Sequence, residues 1–148
     1  MGVAVDLLDA VVDKLNETTF GSAVVERQII PDITKKSLQP SIMVALQGKE
    51  SHELDRTNEA LKYTVAVGLS YPISADSEAD KAAALSMSED IMDWLASRAN
   101  QRLTVTGGEC RLLQPIVMEA VVDPTVAREA GIFFTHSNFI YRFYKDRS

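Results

Sequence analysis

Residues 61–71, LKYTVAVGLSY, alternate more regularly than any other part of the chain. On an extended backbone Leu61, Tyr63, Val65 and Val67 point one way, and Lys62, Thr64, Ala66 and Gly68 the other. A strand with one greasy face and one small or polar face belongs to an antiparallel sheet that is covered on a single side. The cover has to come from the remainder of the 148 residues. A chain of this length is expected to form one domain, residues 1–148, burying roughly 68–70% of its unfolded surface.

Two segments have the period needed to supply that cover. In residues 3–17, Val5, Leu8, Val11, Val12 and Leu15 recur at steps of three and four, with Asp6, Asp9 and Asp13 opposite. Pro72 and SADSEAD end the alternating strand and start a second helix, for which Ser74, Asp76 or Ser77 is the expected cap. Its apolar stripe is Ala84, Met87 or Ser88, Ile91, Trp94, Leu95 and Ala99, which predicts a helix running to about Asn100.

The other segments are strand-like. VVERQIIPDI is β-branched and interrupted by Pro31, which suits an edge strand. SIMVAL follows Pro40, and RLTVT-GG-ECRLL makes two strands joined by Gly107-Gly108, with both glycines expected to supply positive φ. IVMEAVV continues after Pro115, DPTVAREAG is a loop or short turn, and IFFTHSNFIYRFYK closes the chain with aromatics on both faces. THSN within it is expected to be a bulge or turn. The order of helix, strands, helix, strands predicts an α+β two-layer sandwich. Its sheet is mainly antiparallel or mixed, with two helices on one face and a long protruding hairpin.

Charge and composition narrow the function. The net charge of -6 argues against wrapping nucleic acid through a basic surface, although it suits a wall along which DNA slides. The one cysteine, Cys110, cannot form an internal disulfide and lies in an apolar alternating run, as a buried hydrophobe would. The amino terminus has acids at helical spacing instead of a basic then apolar segment, and no apolar run nears the length of a membrane span. No membrane association and a reducing intracellular setting are therefore expected.

No constellation for catalysis emerges. His52 and His136 have no second histidine or cysteine at ligand spacing, so no metal is expected. His136 and Ser137 are adjacent on a strand and face opposite ways. The pairs Glu50/Glu53 and Glu53/Asp55 lie in a solvated segment that fixes neither their separation nor a raised pKa. Gly107-Gly108 precedes a strand, not a helix, so it makes no phosphate cradle. No enzyme activity and no cofactor are expected.

One segment stands apart. Residues 47–60, QGKESHELDRTNEA, separate SIMVAL from LKYTVAVGLSY, although a hairpin needs only two to five residues to turn. Four acids (Glu50, Glu53, Asp55, Glu59) and two bases (Lys49, Arg56) crowd into it, with His52 between them.

The succession of a short amino-terminal helix, strands with this charged tip, a helix after YPISADSEADKAA with IMDWLASRA inside it, and strands ending in FIYRFY resembles the tail terminator (tail completion) proteins of long-tailed bacteriophages. The resemblance spans residues 3–144 and rests on element order and length. It implies a structural protein of the virion, assembled in the host cytoplasm and located at the head-proximal end of the tail. Its copies would form a homo-oligomeric ring, a hexamer, that ends tube growth and joins the tail to the head. The implied partners are the tail tube protein and a head-completion or neck protein, with DNA passing through the lumen without sequence-specific binding. Neck and head-completion proteins share this size and composition and form the alternative within the class. A small-molecule-binding α+β domain is the alternative outside it.

A ring needs contacts in which one patch of each copy meets a different patch of the next. Residues 47–60 are the expected arm, with Lys49, Glu50, His52, Glu53, Asp55, Arg56 and Glu59 facing a neighbouring subunit or the lumen. The alternative is a solvated loop that orders only on assembly. The aromatic carboxy-terminal strand, with Phe133, Phe134, Phe139, Ile140, Tyr141, Phe143 and Tyr144, is a second candidate surface.

Overall fold

Leucine and valine at steps of three and four close the first helix, α1 (Val3–Asn16), onto the core through Leu7, Leu8, Val11 and Leu15. Leu7, absent from the predicted stripe, is fully buried, while Val5 and Val12 are only partly so. The computed structural model describes residues 2–27, 39–53, 59–73, 78–121 and 131–146; for residues 52, 53, 59, 60 and 114–121 it describes the backbone alone. The candidate caps Ser74, Asp76 and Ser77 lie outside the described residues, as do Pro31 and most of DPTVAREAG.

The strands are β1 (Val24–Arg27), β2 (Ser41–Glu53), β3 (Glu59–Pro72), β4 (Arg102–Val105), β5 (Gly108–Val121) and β6 (Ile132–Lys145). They form a six-stranded sheet in the order β1-β2-β3-β6-β5-β4. β1 runs parallel to β2 at one edge, and every other pair is antiparallel. The fold is the expected α+β arrangement with a mixed sheet and two helices. The clearest alternation in the sequence becomes a central strand, with Tyr63, Val65, Val67 and Leu69 all buried.

The second helix, α2 (Glu78–Ala96), buries Ala84, Ser88, Ile91 and Leu95 at steps of four, three and four. Serine, not Met87, takes the ambiguous stripe position because its hydroxyl is satisfied there. Ser88 Oγ donates to the Ala84 carbonyl at 3.0 Å and shares a hydrogen bond with Thr135 Oγ1 on β6. Such pairing removes the penalty of burying two hydroxyls.

The helix stops four residues short of Asn100. Ser97 has extended backbone (φ -62°, ψ 146°), and its hydroxyl and the Asn100 amide both donate to the Trp94 carbonyl at 2.8 Å. Gln101 Nε2 donates to the Ala96 carbonyl at 2.7 Å. These side chains satisfy carbonyls that a helix end leaves open, and residues 98–100 form a 3₁₀ turn that feeds β4. Ala99, predicted to be in the stripe, is exposed as a result.

Trp94 also joins the two helices, its indole Nε1 donating to the Lys14 carbonyl at the end of α1 at 2.7 Å. Arg27 pairs with Asp9 at 3.2 Å and holds the edge strand β1 to α1.

Candidate assembly surface

The charged segment is mostly strand, not loop. Extra length is absorbed at a register shift between Leu46 and Gly48, after which the hairpin continues through Lys49↔Tyr63, Glu50↔Lys62, Ser51↔Leu61 and His52↔Ala60 to Glu53↔Glu59. A β-bulge accommodates one extra residue in this way without ending the ladder. The hairpin outruns its pairing with both neighbours. β1 pairs with β2 only as far as Val44, and β6 pairs with β3 only as far as Leu61. Its last two rungs, His52↔Ala60 and Glu53↔Glu59, are therefore two-stranded among the described residues.

Of the predicted arm residues, Lys49 lays its ammonium 5.6 Å from the centre of the Tyr63 ring and so covers the end of the core. Glu50 is exposed and faces Lys62 across the ladder. His52, Glu53 and Glu59 take backbone positions in the final rungs. Asp55 and Arg56 lie outside the described residues.

THSN is not a bulge. Residues from Ile132 to Phe143 pair with β3 without a break. Thr135 and Ser137 turn toward the helices and are buried, and His136 turns to the opposite face, its ring 6.2 Å from that of Phe134. The strand keeps its polar residues because α2 presents Ser88 to Thr135. Half of the six closing aromatics are core: Phe133, Phe139 and Tyr141 are buried, Phe134, Phe143 and Tyr144 are half-buried, and Ile140 is 37% exposed on the outer face.

The two glycines of the β4–β5 turn have different duties. Gly107 has φ +80°, as expected of a turn, but Gly108 begins β5, and a Cβ there would overlap the Tyr144 carbonyl oxygen. Gly108 is required by the close approach of two backbones. Beside it Cys110 is buried, and desolvation, then the neighbouring Glu109 charge, push its thiol up to about 12. An unreactive structural cysteine follows, as its setting in the sequence suggested.

A feature that the sequence did not disclose crosses the outer face of the sheet, away from the helices. Register places Lys62 (β3) opposite Arg142 (β6), Arg142 opposite Arg111 (β5), and Arg111 opposite Arg102 (β4). Directly opposed residues share a face, so four cations form one transverse row, roughly 14 Å long at the usual strand spacing. Each occupies an ordinary polar position of its own strand. Only the strand order, which joins residues 80 positions apart, aligns them.

On the helix side, the segment after α1 and the outer surface of α2 enclose an open groove of about 680 Å³. Phe20, Met87 and Trp94 contribute apolar surface to it, and Asp90 and Asp93 contribute carboxylates. No histidine, cysteine, lysine or arginine is among its described lining residues.

No protein-family model matches the chain, and no curated protein matches it significantly. Among solved structures, a protein without a descriptive name is similar over 97% of this chain and 94% of its own, at 11% identity and a TM-score of 0.58. A chain of the virion of a native gene transfer agent (GTA) particle is similar over 96% of each chain, at 16% identity and a TM-score of 0.49. The first likeness shows a shared fold. The second is too low to carry an argument.

Proposed function

We propose that this chain is a structural virion-assembly protein, a ring-forming tail terminator at the head-proximal end of a bacteriophage tail tube. Its action is stoichiometric: a ring of copies, six in this reading, caps the last tube ring, blocks further addition and offers a new face to the head-completion protein. DNA passes through the lumen without sequence-specific contacts.

The observation that carries the reading is the β2–β3 hairpin, whose own pairing continues two rungs beyond its pairing with β6 and well beyond its pairing with β1, with Glu53 and Glu59 in the final rung. A ribbon of this kind suits contact with a neighbouring copy, because charge at such a contact sets register and specificity more than affinity. No described helix is long and apolar enough to cross a membrane.

The test is electron microscopy of particles made without this protein. Overlong tubes detached from filled heads are expected. Tails of normal length on unjoined heads would instead identify a neck or head-completion protein. Deleting residues 50–58 should reproduce the joining defect, and normal yields of capped, joined tails would remove the hairpin from the mechanism.

A further inference from the structure

The transverse row of cations is costly as it stands. Like charges directly opposite one another on a sheet repel, yet Lys62, Arg142, Arg111 and Arg102 occupy one continuous rung of four strands. Of the four, only Arg111 makes an ion pair with a carboxylate among the described residues, with Nη2 2.5 Å from Glu109, while Glu50 on β2 stands opposite Lys62 at the end of the row. The Arg111 and Arg142 guanidinium groups lie 4.3 Å and 5.1 Å from the centre of the Tyr144 ring, an aromatic platform that holds both in place. Arg142 Nε is buried and has no hydrogen-bond partner. The next rung on the same face is Thr64, Ile140 and Leu113, so two apolar side chains, Ile140 and Leu113, lie beside the row.

The complement lies in the helix layer. α2 carries five acids (Glu78, Asp80, Glu89, Asp90, Asp93) against one lysine (Lys81). Glu89, Asp90 and Asp93 are exposed and make no ion pair among the described residues. On a helix, neighbours three and four apart are about 5–6 Å from each other, close to the ~4.8 Å step between strands. Carboxylates at that spacing match successive members of the row, and arginine forks hold carboxylates in paired hydrogen bonds. Beside these acids the groove presents Phe20, Met87 and Trp94 to receive Ile140 and Leu113.

From this geometry we infer that the cationic row docks on the acidic α2 groove of a second copy of this chain. The two patches are different and lie on different layers, so the contact is head-to-tail, the type that builds a ring when the rotation between copies closes. The inference rests on the ring reading only in taking the occupant to be another copy. Duplex DNA is the poorer occupant, because a chain with net charge -6 would bring its remaining acids toward the phosphates.

Sedimentation velocity of the full chain over a concentration series reaching the millimolar range, at low and high salt, tests the contact. Self-association that weakens with salt is expected. Lys62→Glu with Arg102→Glu should weaken it roughly tenfold or more, and so should Glu89→Lys with Asp93→Lys, all at exposed or half-exposed positions. Mixing the two double variants, or combining all four changes in one chain, should restore it, an outcome that misfolding cannot imitate. A wild-type chain that stays monomeric throughout, or reversals that leave association unchanged, would overturn the inference. So would binding to a short DNA duplex that the row variant alone loses while self-association persists. Tail length in particles lacking the protein tests the proposed function separately, and either result can fail without the other.

Discussion

Replacing Tyr141 by phenylalanine is expected to stabilise this protein, against the usual direction for loss of a hydroxyl. Tyr141 is 0% exposed and packs in the main core cluster, and its hydroxyl has no hydrogen-bond partner. Desolvation first, and the neighbouring Cys110 second, hold its phenol well above the ordinary range. A buried hydroxyl without a partner costs about 1–3 kcal/mol. Removing the oxygen sacrifices some contacts, worth less than a methylene, or under about 1 kcal/mol. The net gain is about 0.5–2 kcal/mol. For a domain of this size that corresponds to a rise in Tm of about 2–4 °C per kcal/mol. In urea it moves the midpoint upward by several tenths of a molar unit at unchanged slope. Ser88→Ala is the control of opposite sign, because it strips Thr135 of its partner at the helix–sheet contact and should cost about 1–3 kcal/mol. The reasoning is refuted if Tyr141→Phe lowers the midpoint by the equivalent of 1 kcal/mol or so, since the hydroxyl would then be making a bond that matters.

Two further outcomes follow from single contacts. Gly108→Ala should destabilise more than Gly107→Ala in the same urea titration. The first forces a methyl against the Tyr144 backbone, at about 2 kcal/mol or more, while the second pays only for positive φ, about 1–2 kcal/mol. The Asp6 carboxyl accepts hydrogen bonds from the Thr106 hydroxyl and from its backbone N–H at 3.1 Å, and these hold its pKa below the ordinary 3.8. A depressed carboxyl pKa contributes stability that is present above the unfolded value and lost as pH falls through the folded one. Thr106→Val should therefore raise the Asp6 pKa in an NMR titration, and its stability deficit against wild type should shrink as pH drops below about 4. An unchanged Asp6 titration would dismiss the link between α1 and the β4–β5 turn.

The sequence by itself determined which segments are helix and which are strand, because the signal for each is local. A period of two in residues 61–71 and steps of three and four in α1 and α2 need no knowledge of the partner they bury against. It also settled that Cys110 is core, from the apolar run around it. What stayed open or went wrong gathered where a tertiary partner decides the outcome. The choice between Met87 and Ser88 fell to Ser88 because Thr135 meets it, and THSN stayed in register because the same contact satisfies it. α2 ended at Ala96 because Ser97, Asn100 and Gln101 cap its carbonyls, while Gly108 is held by the Tyr144 backbone. Residues 47–60 were legible as a hairpin arm from their length alone, while how far the ladder runs into them depends on pairing with β3, which is made by the backbone and is indifferent to their polarity.

The cationic row marks the limit most clearly. Each of its four members occupies an ordinary polar position in its own strand. Only the order β3-β6-β5-β4 places them on one rung, because pairing between strands distant in the chain is set by how the sheet closes over its core and not by any local pattern.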